Sequence, residues 1–161
     1  MDDLSIQASY SPSGAGKPDS AIAWGTTYTG IEGLSASIGQ GQSETLGSEA
    51  ETTTMKASYA ISSFTVAYSN TEHEYDLGSA SDEEVTSWKL SYTVSDDLSI
   101  SYGEEEHETE GSTIDEEADS VSISYTTGGV TLTAAQYDFS GTGNASVKDI
   151  ERWALSASFA F

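Results

Sequence analysis

The sequence predicts an all-β fold: an antiparallel up-and-down transmembrane β-barrel of about ten strands, with short turns at one end and long acidic loops at the other. Three observations predict it. Large apolar residues recur with period two from one end of the chain to the other. Short and long connections alternate strictly. Charge is kept out of the strands and gathered at their ends, so the second strand face is mostly Ser and Thr, as in WKLSYTVSDDLSISY over 88–102, where Lys89 is the only in-strand charge.

Composition narrows the function classes. A net charge of -22, from 27 acidic and five basic residues, excludes a phosphate-binding surface and so argues against nucleic acid as a partner. Zero cysteines remove disulfides, thiol chemistry and Cys-type zinc sites. Hydrophobic content of 36% is low for a packed core, yet the apolar residues fall in register instead of being scattered. No apolar run approaches the roughly 20 residues of a membrane helix. The same pattern runs throughout, so residues 1–161 read as a single domain.

Ten strands follow in order. The first five are 4–10 (Leu4, Ile6, Ala8, Tyr10), 20–28 (Ile22, Trp24, Tyr28), 34–39 (Leu34, Ala36, Ile38), 53–61 (Met55, Ala57, Tyr59, Ile61) and 64–70 (Phe64, Val66, Tyr68). The next three are 86–94 (Trp88, Leu90, Tyr92, Val94), 98–103 (Leu98, Ile100, Tyr102) and 119–125 (Val121, Ile123, Tyr125). The ninth, 130–139, changes phase from Val130, Leu132 and Ala134 to Ala135, Tyr137 and Phe139, which implies a bulge or a strand that leaves the apolar zone. The tenth, 151–161, carries Trp153, Leu155, Ala157, Phe159 and Phe161. Both prolines fall in the first loop, leaving the strands free of residues that cannot donate to a ladder.

Short turns follow the even strands, at 29–33, 62–63, 95–97 and 126–129, each with Gly, Ser or Asp suited to a tight reversal. Long loops follow the odd strands, at about 11–19, 40–52, 70–85, 104–118 and 140–150, and hold most of the acidic residues. Aligned on the short turns, Tyr59, Tyr92, Tyr125 and Phe159 reach one height, with Tyr28 a looser fit, and predict an aromatic ring at the short-turn end. An even strand count puts both termini there.

A bilayer accounts for these features together. In hydrocarbon every backbone N–H and C=O must be paired, so a spanning sheet must close, and its lipid face must be apolar because Lys or Arg at the midplane costs about 2–4 kcal/mol. Aromatic residues suit the interface, where ring and polar tip are both satisfied. The alternative, a soluble β-sandwich, would place many of its charges on exposed strand faces. Here the clearest in-strand charges are Lys56, Lys89 and Arg152, all in the polar phase.

The hairpin grammar and the terminal strand, Arg152-Trp153-Ala154-Leu155-Ser156-Ala157-Ser158-Phe159-Ala160-Phe161, resemble the Gram-negative outer-membrane porins, in particular the acidic alphaproteobacterial type. The resemblance implies location in the cell outer membrane, with Phe161 and the short turns on the periplasmic side and the acidic loops outside. It implies a water-filled channel for passive diffusion of small hydrophilic solutes, outer-membrane lipid and lipopolysaccharide as surroundings, and a homotrimer. Porins commonly have sixteen strands and an inward-folded third loop, neither of which fits 161 residues. The start Met1-Asp2-Asp3-Leu4-Ser5-Ile6 repeats Asp96-Asp97-Leu98-Ser99-Ile100, so the chain reads either as the C-terminal ten strands of a larger porin or as a compact relative that closes its first strand on its last.

The polar phase predicts a pore lining of Lys56, Lys89, Arg152, Ser58, Ser91, Ser124 and Ser156, together with Thr93, Ser122 and Ser158. Lys56 and Lys89 are expected at one height and Arg152 higher. The alternative is that these cations pair with loop carboxylates. The acidic loops predict weak cation preference. Asp82-Glu83-Glu84 and Asp115-Glu116-Glu117 offer oxygens to divalent ions but lack EF-hand spacing, and no metal or cofactor is expected. His73 and His107, each flanked by glutamates in a long loop, raise acid-base catalysis; no motif accompanies them, and no catalytic residue is assigned. The competing function is a binding or adhesion scaffold that works through the acidic loops.

Overall fold

Alternating side chains put the two chemistries of this sequence on opposite faces of one sheet, and the backbone ladder holds them there. The computed structural model describes residues 3–13, 20–45, 48–76, 81–141 and 149–159. Ten strands form a single antiparallel sheet in chain order: β1 Leu4–Ser11, β2 Ala21–Tyr28, β3 Leu34–Thr45, β4 Ser48–Ile61, β5 Phe64–Tyr75, β6 Glu83–Ser95, β7 Leu98–Thr109, β8 Glu116–Thr127, β9 Val130–Ser140 and β10 Ile150–Phe159. No helix among the described residues is long and apolar enough to cross a membrane, which says nothing of strands.

The all-β up-and-down reading holds, but the sheet is open. Among the described residues β1 pairs only with β2 and β10 only with β9, so the expected closure of the first strand on the last is not formed. Closure requires the sheet to curl through a full circuit, and alternation along single strands carries no information about curl. The terminal Phe161, together with 14–19 and 142–148 of the first and last loops, lies outside the described residues.

The strands are longer than the apolar pattern predicts. Residues 71–75, 104–109 and 116–118, expected in loops, continue the ladders of β5, β7 and β8, and β3 and β4 run on to Thr45 and from Ser48. Hydrogen bonding does not depend on apolar side chains, and the acidic ends keep the same alternation. The extension stacks like charges: Glu72, Glu84 and Glu108 are direct partners across three strands, as are Asp119, Asp138 and Glu151. Each such pair opposes folding by a few tenths of a kcal/mol up to about 1 kcal/mol.

β9 keeps one phase throughout. Its partners run without a shift from Thr127↔Val130 to Glu117↔Ser140, so Val130, Leu132 and Ala134 share a face with Gln136 and Asp138, while Tyr137 and Phe139 fall on the serine side. The expected bulge is absent there, and the strand does leave the apolar zone. The bulge sits instead in the β6–β7 hairpin, where the register shifts between Thr93 and Ser95.

The turns explain their residues. Gly128 and Gly129 both take positive φ, 56° and 81°, in the two-residue loop that joins β8 to β9, as a type I′ hairpin turn needs. Gly33 has φ 79°, and a Cβ there would lie 2.2 Å from the Ala60 carbonyl oxygen, whose neighbour Ala60 N–H donates to Gly33 O. Gly33→Ala combines a left-handed backbone with that collision, so it should destabilise the fold by about 1–3 kcal/mol; the check is the loss of β-signal in a urea or thermal melt compared with the unsubstituted chain.

Candidate functional site

Read across the sheet, the register shows how the two faces are aligned. One hydrogen-bonding row starts at Leu4 and passes Tyr28, Ala36, Ala57, Tyr68, Trp88, Glu104, Asp119 and Asp138 before reaching Glu151. The row begins at the short-turn end of β1 and finishes eight residues from Phe159 in β10. At about 3.3 Å per residue and about 4.8 Å per strand, that climb is roughly 26 Å over 43 Å of width, so the strands tilt by about 30° when the apolar band is held level. Barrel walls typically have strand tilts of about 35–45°.

On the apolar face, two rows of aromatics flank Val66 and Leu90, while Ile61 and Val94 lie beyond the row near the short turns and Ile22 beyond the other. Tyr28, Tyr59, Phe64, Tyr92, Tyr125 and Phe159 form the row near the short turns, with Phe64 and Tyr92 at 4.7 Å between ring centroids. A second row, which the sequence reading missed, comprises Trp24, Tyr68, Trp88, Tyr102 and Trp153. Trp88 and Tyr102 meet edge to face at 5.3 Å. Each indole N–H of this row points away from the apolar band and donates to a polar group: Trp24 to Gln40 Oε1 at 3.0 Å, Trp88 to Glu104 Oε2 at 2.9 Å and Trp153 to Glu151 Oε1 at 2.8 Å. The Tyr102 hydroxyl lies between the carboxylates of Glu104 and Asp119. This is the arrangement an aromatic side chain takes when one end is dry and the other wet. The signal was present in the sequence, because Trp24 and Trp88 precede Tyr28 and Tyr92 by four residues, and Tyr68 follows Phe64 by four.

The opposite face is a hydroxyl lattice. Ser69 bonds Ser87 at 2.9 Å, Ser101 bonds Ser122 at 2.7 Å, and Ser124 bonds Thr133 at 3.1 Å. Lys56, Lys89, Arg152, Ser58, Ser91, Ser124 and Ser156 all fall on this face. Counted from the nearer aromatic row, Lys56 and Lys89 stand three residues above Tyr59 and Tyr92, and Arg152 stands seven above Phe159. Lys56 and Lys89 line one concavity with Ser37, Ser58, Ser69 and Ser87. Ser58, Lys89 and Arg152 share one row, and Tyr137 lies directly beside Arg152. Among the described residues none of these three cations has an ion-pair partner.

Both histidines sit on strands of the serine face, not in loops. His73 is opposite Glu83 and its Nδ1 is 2.9 Å from Thr52 Oγ1; His107 is opposite Glu116. The His107 ring nitrogens lie 3.7 Å from carboxylate oxygens of Glu83 and Glu116. Imidazole and carboxylate thus alternate across four strands. On the other face of the same ends, carboxylate oxygens of Glu106, Glu108 and Asp115 approach within 4.8 Å of one another. Desolvation, then the charges of Glu108, Asp115, Glu117 and Glu84, hold the Glu106 carboxyl above its ordinary range.

Compared with known proteins, the chain matches no family model and no curated protein.

A carboxyl with a raised folded-state pKa binds its proton more tightly folded than unfolded, so its contribution to stability is present below the ordinary carboxylate pKa and is lost as pH rises through the raised value. Glu106→Gln removes that loss. Its melting temperature should exceed that of the unsubstituted chain at pH 7, and the difference should vanish below about pH 4, where both side chains are neutral.

Proposed function

We propose that this chain forms wall of an outer-membrane β-barrel, a porin-like channel through which small hydrophilic solutes and ions diffuse passively, with weak cation preference. One observation carries the proposal: a single-layer sheet whose apolar face is covered by no other part of the described chain. Ala135, at 6% exposure, is the one buried hydrophobic residue described, whereas Ile6, Trp24, Val66, Leu90, Ile123 and Leu155 stand exposed on successive parts of that face. Burying one such side chain contributes about 1.5–3 kcal/mol. Over ten strands the uncovered face leaves tens of kcal/mol of burial unused, and an exposed apolar face of that extent is the mark of a surface that an apolar partner covers.

Acyl chains fit that requirement. The apolar stretch 88–94 runs about 20 Å along its strand, or about 17 Å once tilted, against an apolar band of about 25 Å in outer-membrane barrels. A mismatch of about 8 Å, at fractions of a kcal/mol per Å, costs a few kcal/mol through bilayer thinning. That is small beside the gain from covering the face. The two aromatic rows, about 11 Å apart on the tilted strands β2, β5 and β6, then lie within that band toward its two borders, the acidic strand ends stand in water, and the hydroxyl face borders the lumen. Because an unpaired strand edge cannot stand in hydrocarbon, further strands must complete the wall at β1 and β10.

The cation preference rests on the net charge of -22 concentrated beyond the second aromatic row, opposed by Lys56, Lys89 and Arg152 on the lumenal face. The paired acidic extension beyond that row also favours a second reading, a scaffold that binds a partner through it without conducting. Planar-bilayer recordings separate the two. Stepwise openings with a reversal potential of cation sign in a salt gradient are expected, and Lys56→Glu with Lys89→Glu should move that potential further toward cations. A folded, inserted but silent protein supports the scaffold; an anion-sign potential removes the proposed preference.

A further inference from the structure

Resting on the reading of the sheet as membrane-standing wall, we infer that a second copy of this chain completes it, the β1 edge of one copy pairing antiparallel with the β10 edge of the other. These are the two strands of the described sheet with one open ladder each. They are eight and ten residues long, so all of β1 can pair along β10. With an even number of alternating strands, β1 and β10 run in opposite senses, so two copies standing the same way up in a membrane meet edge to edge in the antiparallel sense of every other pair.

The faces match as well. A register that sets Leu4 beside Phe159 also sets Ile6 beside Ala157, Ala8 beside Leu155 and Tyr10 beside Trp153, continuing the apolar band and both of its borders across the joint. The same register sets Ser5, Gln7, Ser9 and Ser11 beside Ser158, Ser156, Ala154 and Arg152, which continues the polar face. The most exposed apolar side chains of the described molecule are those that the joint would cover from the side: Leu155 at 82%, Ile6 at 75% and Trp153 at 70%.

A second copy fits better than closure of one chain on itself. A ten-stranded circuit is only slightly wider than the eight-stranded barrel that side chains fill, whereas channels open at about 16–18 strands. The polar face here carries Lys56, Lys89, Arg152, His73 and His107, and also the stacked pair Tyr137 and Phe139, whose rings lie 6.2 Å apart. Such side chains would fill a ten-stranded bore. Two copies give twenty strands and room for water between them.

The chain has no cysteine, so engineered pairs report cleanly. Ser9→Cys and Ala154→Cys are directly opposite in the proposed register, and opposed residues bring their Cβ atoms to about 4.5–5.5 Å, near disulfide range. Chains carrying one substitution each are mixed, refolded in detergent micelles, oxidised and run on a denaturing gel; a covalent dimer is expected. A mixture that stays monomeric while the doubly substituted chain gives an internal, fast-migrating cross-link overturns the inference in favour of self-closure. No cross-link in either sample overturns it in favour of another occupant. If a substituted chain fails to fold, native mass spectrometry of the unsubstituted protein released from micelles decides, an even copy number being expected and a single copy contradicting it. Flotation with phospholipid vesicles separates the two layers of the argument. Protein that floats as a monomer loses only the second copy, whereas protein that does not float loses the membrane reading with it.

Discussion

Everything in this molecule depends on nine antiparallel ladders holding their registers, because a slip of one residue would exchange the two faces of the sheet. Side-chain direction alternates with period two, so a single misplaced pairing would turn Leu, Trp and Tyr toward the serine side along a whole strand. The one register shift among the described residues, in the β6–β7 hairpin, lies beyond Tyr92 near the turn, where it leaves the pairing of 83–93 undisturbed. With the faces kept apart, one sheet carries a surface of hydroxyls and a surface of hydrocarbon that no packed core could accommodate together.

The chemistry along the strands sets a second axis. From the short turns outward, the apolar face passes from an aromatic row through aliphatic residues to a row containing all three tryptophans, and then to carboxylates. The indole N–H groups of Trp24, Trp88 and Trp153 all donate to the polar side of that boundary. The row from Leu4 to Glu151 crosses these zones obliquely, and it is the tilt of the strands that brings the zones level. Stagger in the register and zoning in the sequence are therefore two expressions of one geometry.

Much of this was legible in the sequence, and the failures have physical causes. The strand order, the short turns and the ring of Tyr59, Tyr92, Tyr125 and Phe159 follow from alternation and turn chemistry, which are local. Strand ends were placed where apolar residues stop, yet β5 and β7 continue through Glu72-His73-Glu74 and Glu106-His107-Glu108, because a ladder partner, not hydrophobicity, decides where a strand ends. In β9 the small Ala134 and Ala135 suit either face, so the change of phase read there was an artefact of composition, with Tyr137 and Phe139 on the polar side throughout. The open edges were illegible, since closure is a property of curl and stagger accumulated over ten strands. The polar placement of Lys56, Lys89 and Arg152 was legible; that Lys56 and Lys89 share one concavity on that face needed the register between strands.

The account turns on which solvent each face meets, and a cysteine scan along 87–93 of β6, with an environment-sensitive fluorophore at each position in protein reconstituted into vesicles, tests this most directly. The positions of Trp88, Leu90 and Tyr92 should be quenched by a lipid-confined quencher and protected from a water-soluble one, and those of Ser87, Lys89, Ser91 and Thr93 should show the reverse. Loss of that alternation, or protection of the even positions from both quenchers as in a dry protein interior, would contradict the account.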